Sequence, residues 1–327
     1  MTFQILCLSG GGYMGLYTAC VLASIEEHYG RPLLEHFDLV AGTSVGGIIA
    51  LGLAHGTPAR EIRDAFLQHG ADIFTDQPPA QNKFAQTIGL RKNALKAKYD
   101  PAALRRTIVD LVGEDTKIGD LKHRAMIPAV NLTKGLPQVF KTPHHSTFMR
   151  DWRLKVVDVA LATSAAPTFF PLHRIGGEMF ADGGLYANAP DHLALHEAEH
   201  FLCQKVDTVS VLSIGTTTSR FSMSNAIGVD LGWMGWMDGQ RLPNVMIAAQ
   251  QENTNYMMRH RLGDRYLRID QTQSKEQERS LALDVASPTA KHDLAALAEA
   301  SVREHLGKAT LPRFFEHRAA MPVFFNH

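Results

Sequence analysis

A serine stands on a glycine-flanked turn between two apolar stretches near the start of the chain. Residues 37–41 read FDLVA, residues 48–51 read IIAL, and Gly42, Ser44 and Gly46 form a G-x-S-x-G sequence between them. A strand, a sharp turn and a helix in this order predict a nucleophile elbow, in which a strained turn projects the serine hydroxyl above a sheet. The predicted chemistry is acyl transfer through a serine ester. The five-residue pattern alone is equally typical of an ordinary turn.

A glycine-rich turn precedes the elbow. An apolar stretch at 3–8 runs into Gly10, Gly11 and Gly12, followed by Gly15 and a helical pattern. The G-x-G-x-x-G spacing is typical of a dinucleotide phosphate cradle, but no acidic residue closes a second strand about 20 residues on. Backbone amides at such a turn also suit an oxyanion hole, which the nearby serine favours. A tight turn without chemistry is the remaining interpretation.

An aspartate follows a short apolar stretch much later in the chain. Asp182 comes after MFA and is followed by Gly183 and Gly184, and a run of small residues, ATSAAP, occupies 162–167. Alone, Asp-Gly-Gly predicts an ordinary turn. Beside an elbow and a glycine-rich loop, it indicates a carboxylate base.

These segments, in this order, resemble the patatin-like phospholipases. The resemblance runs from about residue 5 to about residue 215, where VSVLSIGT is similar to the late core strand of the family. It implies Ser44 as nucleophile, Asp182 as base of a two-residue dyad, and Gly10, Gly11, Gly12 and Gly15 in the oxyanion loop. One departure concerns the glycine loop, where the family usually carries Arg or Lys and this chain has Tyr13 and Met14.

Two mechanisms compete for the aspartate. In the dyad, burial would raise the Asp182 pKa from its usual value near 4 and make the carboxylate a better base for the Ser44 hydroxyl. In a Ser-Asp-His triad, a histidine after Asp182 would be the base. The candidates are His192, His196, His200, His260 and His292. The first three recur at helical spacing, which is more typical of a polar helix face, so we expect the dyad.

The chain must supply elements that position these residues. Strands are predicted at 3–8, 37–41, 124–131, 137–141, 208–214 and 264–269, and helices at 14–28, 45–54, 58–70, 101–112, 154–162, 190–203, 250–260 and 289–306. Strands that alternate with helices predict an α/β fold. With the resemblance, the expected architecture is a patatin-like three-layer sandwich whose mainly parallel central sheet has helices on both faces. We expect one domain over 1–327, with a catalytic core at 1–215 and a C-terminal elaboration at 216–327.

Composition limits the function further. The 327 residues are 45% hydrophobic with a formal net charge of zero, which supports a large core and no electrostatic attraction to nucleic acid polymers. The three cysteines are scattered, which predicts no disulfide framework and no metal site and fits a reducing cytoplasm. The N-terminus lacks a signal-peptide pattern, and no apolar stretch is long enough to span a bilayer. No cofactor is expected.

Two segments are candidates for controlling access to the site. Residues 78–98 place apolar residues at roughly helical spacing among lysines and arginines, which suits an anionic membrane surface or equally a solvated loop. Residues 223–242 contain LGWMGWMDG, which suits a mobile apolar flap or equally a packed loop or subunit contact.

Within the family, the stretch at 140–145 and the block at 160–167 resemble the CapV-type effectors of anti-phage (CBASS) signalling. That resemblance implies activation by a cyclic dinucleotide, degradation of the host membrane from its inner face by a cytoplasmic enzyme, and a homo-oligomer. Basic residues between 83 and 106, or His144 and His145, would then contact phosphates. The alternatives are a small-ester hydrolase or thioesterase, and a ligand sensor that oligomerises. An oxidoreductase is disfavoured because the acidic ribose partner is missing.

Overall fold

The computed structural model describes residues 2–75, 97–217, 241–274 and 276–325, with short stretches at 223, 229–232 and 235–236. The two segments predicted to control access to the site, 78–98 and 223–242, therefore lie mostly outside the described residues. Among the helices that are described, none combines the length and the apolar composition needed to cross a bilayer.

The described elements alternate along the chain. The strands are β1 (Phe3–Leu8), β2 (Leu39–Gly42), β3 (Ala125–Asn131), β4 (Leu136–Lys141), β5 (His173–Ile175), β6 (Glu178–Asp182), β7 (Val209–Ile214) and β8 (Tyr266–Ile269). The α-helices are α1 (Gly15–Tyr29), α2 (Val45–His55), α3 (Ala59–Ile73), α4 (Pro101–Val112), α5 (Val156–Thr163), α6 (Gly184–Ala187), α7 (Asp191–His200), α8 (Arg241–Leu262), α9 (Gln277–Ser280), α10 (Pro288–Leu306) and α11 (Thr310–Glu316).

The strands form one mixed sheet in the order β5-β6-β3-β2-β1-β7-β8, with β4 also paired to β3. The five strands from β3 to β8 in this order run parallel to one another. The hairpin β5-β6 and the strand β4 are antiparallel to their neighbours. The predicted mainly parallel sheet is confirmed.

Both faces of the sheet are buried, as the alternation of β1 shows. Leu6 and Leu8 belong to a core with residues of α1, α2, α3 and α10. Phe3, Ile5 and Cys7 point to the other face and belong to a second core with residues of α7 and α8. A strand covered on both sides needs apolar residues at consecutive positions, which is why β1 reads FQILCL. The predicted layers of helices on both faces are confirmed.

The helices begin and end where the sequence offers caps. Asp100 and Ser287 accept backbone N–H bonds at the starts of α4 and α10, each followed by proline at the first helical position. Gly30 ends α1 in the left-handed conformation at φ 65°. These local signals explain why the bounds predicted for the early helices agree closely with the structure.

The C-terminal half differs more from the sequence-based bounds. The helix predicted at 250–260 is the 22-residue α8, which begins at Arg241. The β5-β6 hairpin and α11 were not predicted, because three- and seven-residue elements carry little periodicity. The division into a core and a C-terminal elaboration stays a prediction, although β8 extends the sheet and α10 packs on α1.

Candidate active site

The serine lies at the turn between β2 and α2 and has a positive φ. Ser44 links β2 to α2 with φ 55° and ψ −126°, a conformation that non-glycine residues seldom adopt. A Cβ on Gly42 would collide with the Gly46 carbonyl, and a Cβ on Gly46 with the Leu8 carbonyl. The Ser44 N–H donates to Thr163 Oγ1 at 3.0 Å, and the Thr163 hydroxyl donates to the Pro128 carbonyl at 2.6 Å. The turn is strained and is held in place from α5 and β3.

Strand register brings an aspartate level with this serine. Ala41 of β2 pairs with Met126 of β3, and three residues further along β3, Ala129 pairs with Asp182 of β6. Ser44 is also three residues beyond Ala41, so the serine and the aspartate flank β3 at the same height. This alignment depends on the antiparallel β6, which the sequence alone did not predict.

Ser44 and Asp182 are in direct contact. The Ser44 hydroxyl donates to Asp182 Oδ2 at 2.7 Å, and the Gly184 N–H donates to Asp182 Oδ1 at 2.7 Å. Both side chains are buried. Burial raises the pKa of Asp182 from 3.8 to about 6, and the two hydrogen bonds limit the rise by favouring the ionised carboxylate. A carboxylate with this pKa accepts a proton from a hydroxyl more readily than a solvent-exposed one.

The glycine-rich loop lies beside the serine. The Gly10 N–H donates to the Asn188 carbonyl at 2.9 Å, and the Gly15 N–H bonds back to the Gly12 and Tyr13 carbonyls. Within the described part of the chain, the amides of Gly11 and Gly12 have no hydrogen-bond partner, and both residues line the same cleft as Ser44. Four glycines were expected in the oxyanion loop. Only the Gly11 and Gly12 amides are available as hydrogen-bond donors there, because the Gly10 and Gly15 amides already donate to carbonyls of the fold.

The cleft above the serine is apolar. Its only charged lining group among the described residues is Asp182, and its polar neighbours there are Ser44, Ser164 and Asn188. The apolar lining comes from α2, α3, α4, α6, α8 and the loops after α3, α5 and α9: Val45, Ile48, Phe66, Ile73, Phe74, Leu104, Ala166, Pro167, Phe169, Phe170, Leu185, Pro243, Met246, Ile247 and Leu283. A channel of this composition suits a hydrocarbon chain whose polar end reaches the serine.

The histidines predicted as alternative bases lie elsewhere. The two hydrogen bonds to the Asp182 carboxylate come from Ser44 and Gly184, and no histidine of the described chain contributes one. His196 and His200 stack on each other on the exposed side of α7, and His260 Nδ1 bonds to the Tyr256 carbonyl on α8. The geometry is that of a two-residue site.

The described residues that were expected to contact phosphates differ in their surroundings, and Arg106 is exposed. His144 is fully buried, with hydrogen bonds to Thr142 Oγ1 at 2.8 Å and Glu197 Oε1 at 3.0 Å, so the expectation for His144 is wrong. His145 packs against aromatic rings at the surface. Lys98 pairs with Asp284 and Arg105 with Glu114. The other lysines and the arginine expected there before residue 97 lie outside the described residues.

Sequence reasoning missed two residues around the site. Thr163 orients the Ser44 amide, and Asn188 holds the glycine loop. The small-residue block at 162–167 was a signal for the first. The second follows the Asp-Gly-Gly turn by only four residues, and nothing in its local sequence indicated a contact with residue 10.

Comparisons with known proteins agree with this geometry. A model of the patatin-like phospholipase family matches residues 6–195. A Pseudomonas aeruginosa protein named cGAMP-activated phospholipase is 42% identical, with 99% of this chain and 95% of the relative covered. Proteins of the same name from Vibrio cholerae and Escherichia coli are 39% and 38% identical; the matches cover 96% and 90% of this chain and 94% and 86% of the relatives.

Proposed function

Because the chain belongs to the patatin-like phospholipase family, we propose that it hydrolyses phospholipid acyl esters through a Ser44–Asp182 dyad. The observation that carries the proposal is the 2.7 Å hydrogen bond from the Ser44 hydroxyl to a buried carboxylate whose pKa is raised to about 6. Both residues line an apolar cleft.

In the first half of the reaction, Ser44 Oγ attacks the ester carbonyl carbon while Asp182 Oδ2 takes the hydroxyl proton. The negative charge that develops on the carbonyl oxygen accepts hydrogen bonds from the free amides of Gly11 and Gly12. The tetrahedral intermediate then collapses. The ester C–O bond breaks, Asp182 returns the proton to the leaving lysolipid oxygen, and an acyl-serine ester remains.

In the second half, water replaces the lysolipid. Asp182 takes a proton from the water as its oxygen attacks the acyl carbonyl, and the same two amides stabilise the second oxyanion. Collapse releases the fatty acid and returns the proton to Ser44 Oγ. The carboxylate thus acts as base and then as acid in each half, which suits a pKa near the working pH.

The rim of the cleft supports a lipid substrate. Leu185, Leu242 and Met246 keep 39%, 37% and 40% of their surface exposed, and two of these residues also line the cleft. Large apolar side chains at the mouth of an apolar channel are unfavourable in water and favourable against acyl chains. We therefore place a peripheral phospholipid membrane contact at this rim, on the cytoplasmic side of the host membrane.

The names of the relatives support regulation by a nucleotide. Three proteins that match this chain over nearly its whole length are called cGAMP-activated phospholipases. By this similarity, a cyclic dinucleotide activates the present chain, in a homo-oligomer and in the setting of anti-phage defence.

The test is fatty-acid release from vesicles of phosphatidylethanolamine and phosphatidylglycerol. Wild type, Ser44→Ala and Asp182→Asn are each assayed without nucleotide, with cGAMP and with cyclic di-GMP. We expect release from wild type with cGAMP and at least a hundredfold less from either variant (about 10²–10⁴ for loss of a general base).

Three outcomes would contradict parts of the proposal. Release that persists in Ser44→Ala would remove the assigned nucleophile. Equal release with and without nucleotide would retain the hydrolase and remove the activation. Hydrolysis of short soluble esters with no release from vesicles would favour a small-ester hydrolase.

A further inference from the structure

The carbonyl of Gly10 receives two side-chain hydrogen bonds in the interior. Thr216 Oγ1 donates to it at 3.0 Å, and Asn188 Nδ2 donates to it at 3.3 Å. Both side chains are buried, with 2% and 3% of their surface exposed. A carbonyl that accepts two buried side-chain donors is restricted in direction, since turning away would leave all three groups unsatisfied.

The direction of this carbonyl decides where the next amide points. The Gly10 C=O and the Gly11 N–H belong to one planar peptide group, and in a trans peptide they point in opposite directions. The carbonyl is directed into the fold by Thr216 and Asn188. The Gly11 N–H is consequently directed away from them, on the side where Gly11 lines the cleft.

We propose that Thr216 and Asn188 are positioning residues that orient the Gly11 N–H toward the oxyanion; this inference rests on the proposed function. Thr216 is not among the residues that line the cleft, and Asn188, which does line it, directs its side-chain amide to the Gly10 carbonyl. Their effect passes through the Gly10–Gly11 peptide plane, so it is exerted in the transition state, when charge develops on the carbonyl oxygen.

The two clamping side chains are themselves fixed to rigid elements. Thr216 follows β7, which pairs with β1 along its whole length. The backbone carbonyl of Asn188 accepts the Gly10 N–H, and the backbone N–H of Asn188 donates to Gln250 Oε1 of α8 at 3.1 Å. The Gln250 amide in turn donates to the Gly184 carbonyl, beside the Asp182 turn. The orientation of the oxyanion donor and the position of the base are thereby tied to one another.

The next peptide group, between Gly11 and Gly12, is oriented by a backbone hydrogen bond and not by a side chain. The Met14 N–H donates to the Gly11 carbonyl at 3.2 Å, which directs the Gly12 N–H to the opposite side. A substitution therefore reaches the Gly11 donor alone. Loss of a whole oxyanion donor costs about 10²–10³ in kcat. Since Asn188 keeps one bond to the carbonyl, we expect removal of the Thr216 hydroxyl to cost about tenfold to a hundredfold.

The test compares Thr216→Val with Thr216→Ser, which keeps the hydroxyl. Thr57→Val is the matched control, since Thr57 is also buried and donates to a backbone carbonyl, that of Leu111, outside the cleft. The assay is hydrolysis of a p-nitrophenyl ester with cGAMP present, together with the inhibition constant of a long-chain trifluoromethyl ketone, whose adduct with Ser44 carries an oxyanion. Thermal unfolding checks that each variant is folded, and Thr216→Ala replaces Thr216→Val if the latter is not.

We expect Thr216→Val to lower kcat with KM unchanged and to raise the inhibition constant of the ketone by the same factor. Thr216→Ser and Thr57→Val should retain wild-type values of both. Wild-type kcat in Thr216→Val, or a lower kcat with unchanged ketone affinity, would overturn the inference while the proposed function stands. Wild type and Ser44→Ala that are equally inactive would instead remove the proposed function on which the inference depends.

Discussion

Replacing Asp182 with asparagine removes the ionisation of this side chain and leaves its size almost unchanged. The asparagine carbonyl can still accept the Gly184 N–H, and its amide can donate to Ser44 Oγ, so the local geometry is retained. The substitution therefore separates the cost of burying a charge from the cost of disturbing the site.

The magnitude follows from the pKa. Burial raises the pKa of Asp182 from 3.8 to about 6. Each pKa unit corresponds to 1.36 kcal/mol, so the folded state disfavours the ionised carboxylate by about 3 kcal/mol relative to the unfolded state.

The direction of the pH dependence follows from proton linkage. Between about pH 4 and pH 6 the folded chain keeps the Asp182 proton that the unfolded chain has lost, so the native state binds more protons. This group therefore makes the folded state less stable as pH rises through that window. Asp182→Asn lacks this loss. The free energy of unfolding of Asp182→Asn minus that of wild type should therefore increase by about 3 kcal/mol from about pH 3 to pH 7.

The assay is urea unfolding of wild type and Asp182→Asn at several pH values across this range, paired with ester hydrolysis. Contributions from other ionisable groups cancel in the difference. Wild-type kcat/KM should fall about tenfold per pH unit below about pH 6, as the base becomes protonated. A stability difference that is independent of pH, together with activity that persists down to about pH 4, would refute the raised pKa and its role in the reaction.

Three further substitutions or reactions test the fold around the site. Gly11→Ala should lower kcat sharply, since its Cβ would collide with Thr216, whereas Gly177→Ala, with open space around it, should be active in the same ester assay. Glu197→Ala should lower the free energy of unfolding by about 3–5 kcal/mol in urea, because it leaves the buried His144 and the partly buried Lys141 without their acceptor; a loss below about 1 kcal/mol would contradict this. Iodoacetamide should label the native protein only at the exposed Cys203, since burial raises the pKa of the other two thiols; mass spectrometry that shows a second native label would exclude this.

Much of the fold was predictable because its signals are local. The apolar run of β1, the glycines around Ser44 and the capping residues of α4 each act over a few neighbouring positions, and their spacing is visible in the sequence. The short β5-β6 hairpin was not predictable in this way, because a three-residue strand has no periodicity. That hairpin nevertheless carries the proposed base, Asp182, as the last residue of β6.

The sequence alone indicated which residue types form the site. The tertiary structure decided which of these residues contact one another and which hydrogen bonds each one makes. G-x-S-x-G, the glycine loop and Asp-Gly-Gly indicate the proposed nucleophile, donors and base, because strained turns and close backbone approaches admit few residue types. Asn188 and Thr216 are far away along the chain from the glycine loop, yet the Asn188 carbonyl occupies the Gly10 amide and both side chains donate to the Gly10 carbonyl. The choice of dyad over triad likewise depends on which side chains the strand register brings to Asp182. Hydrogen-bond partners of this kind are assigned by long-range packing, which no local spacing encodes.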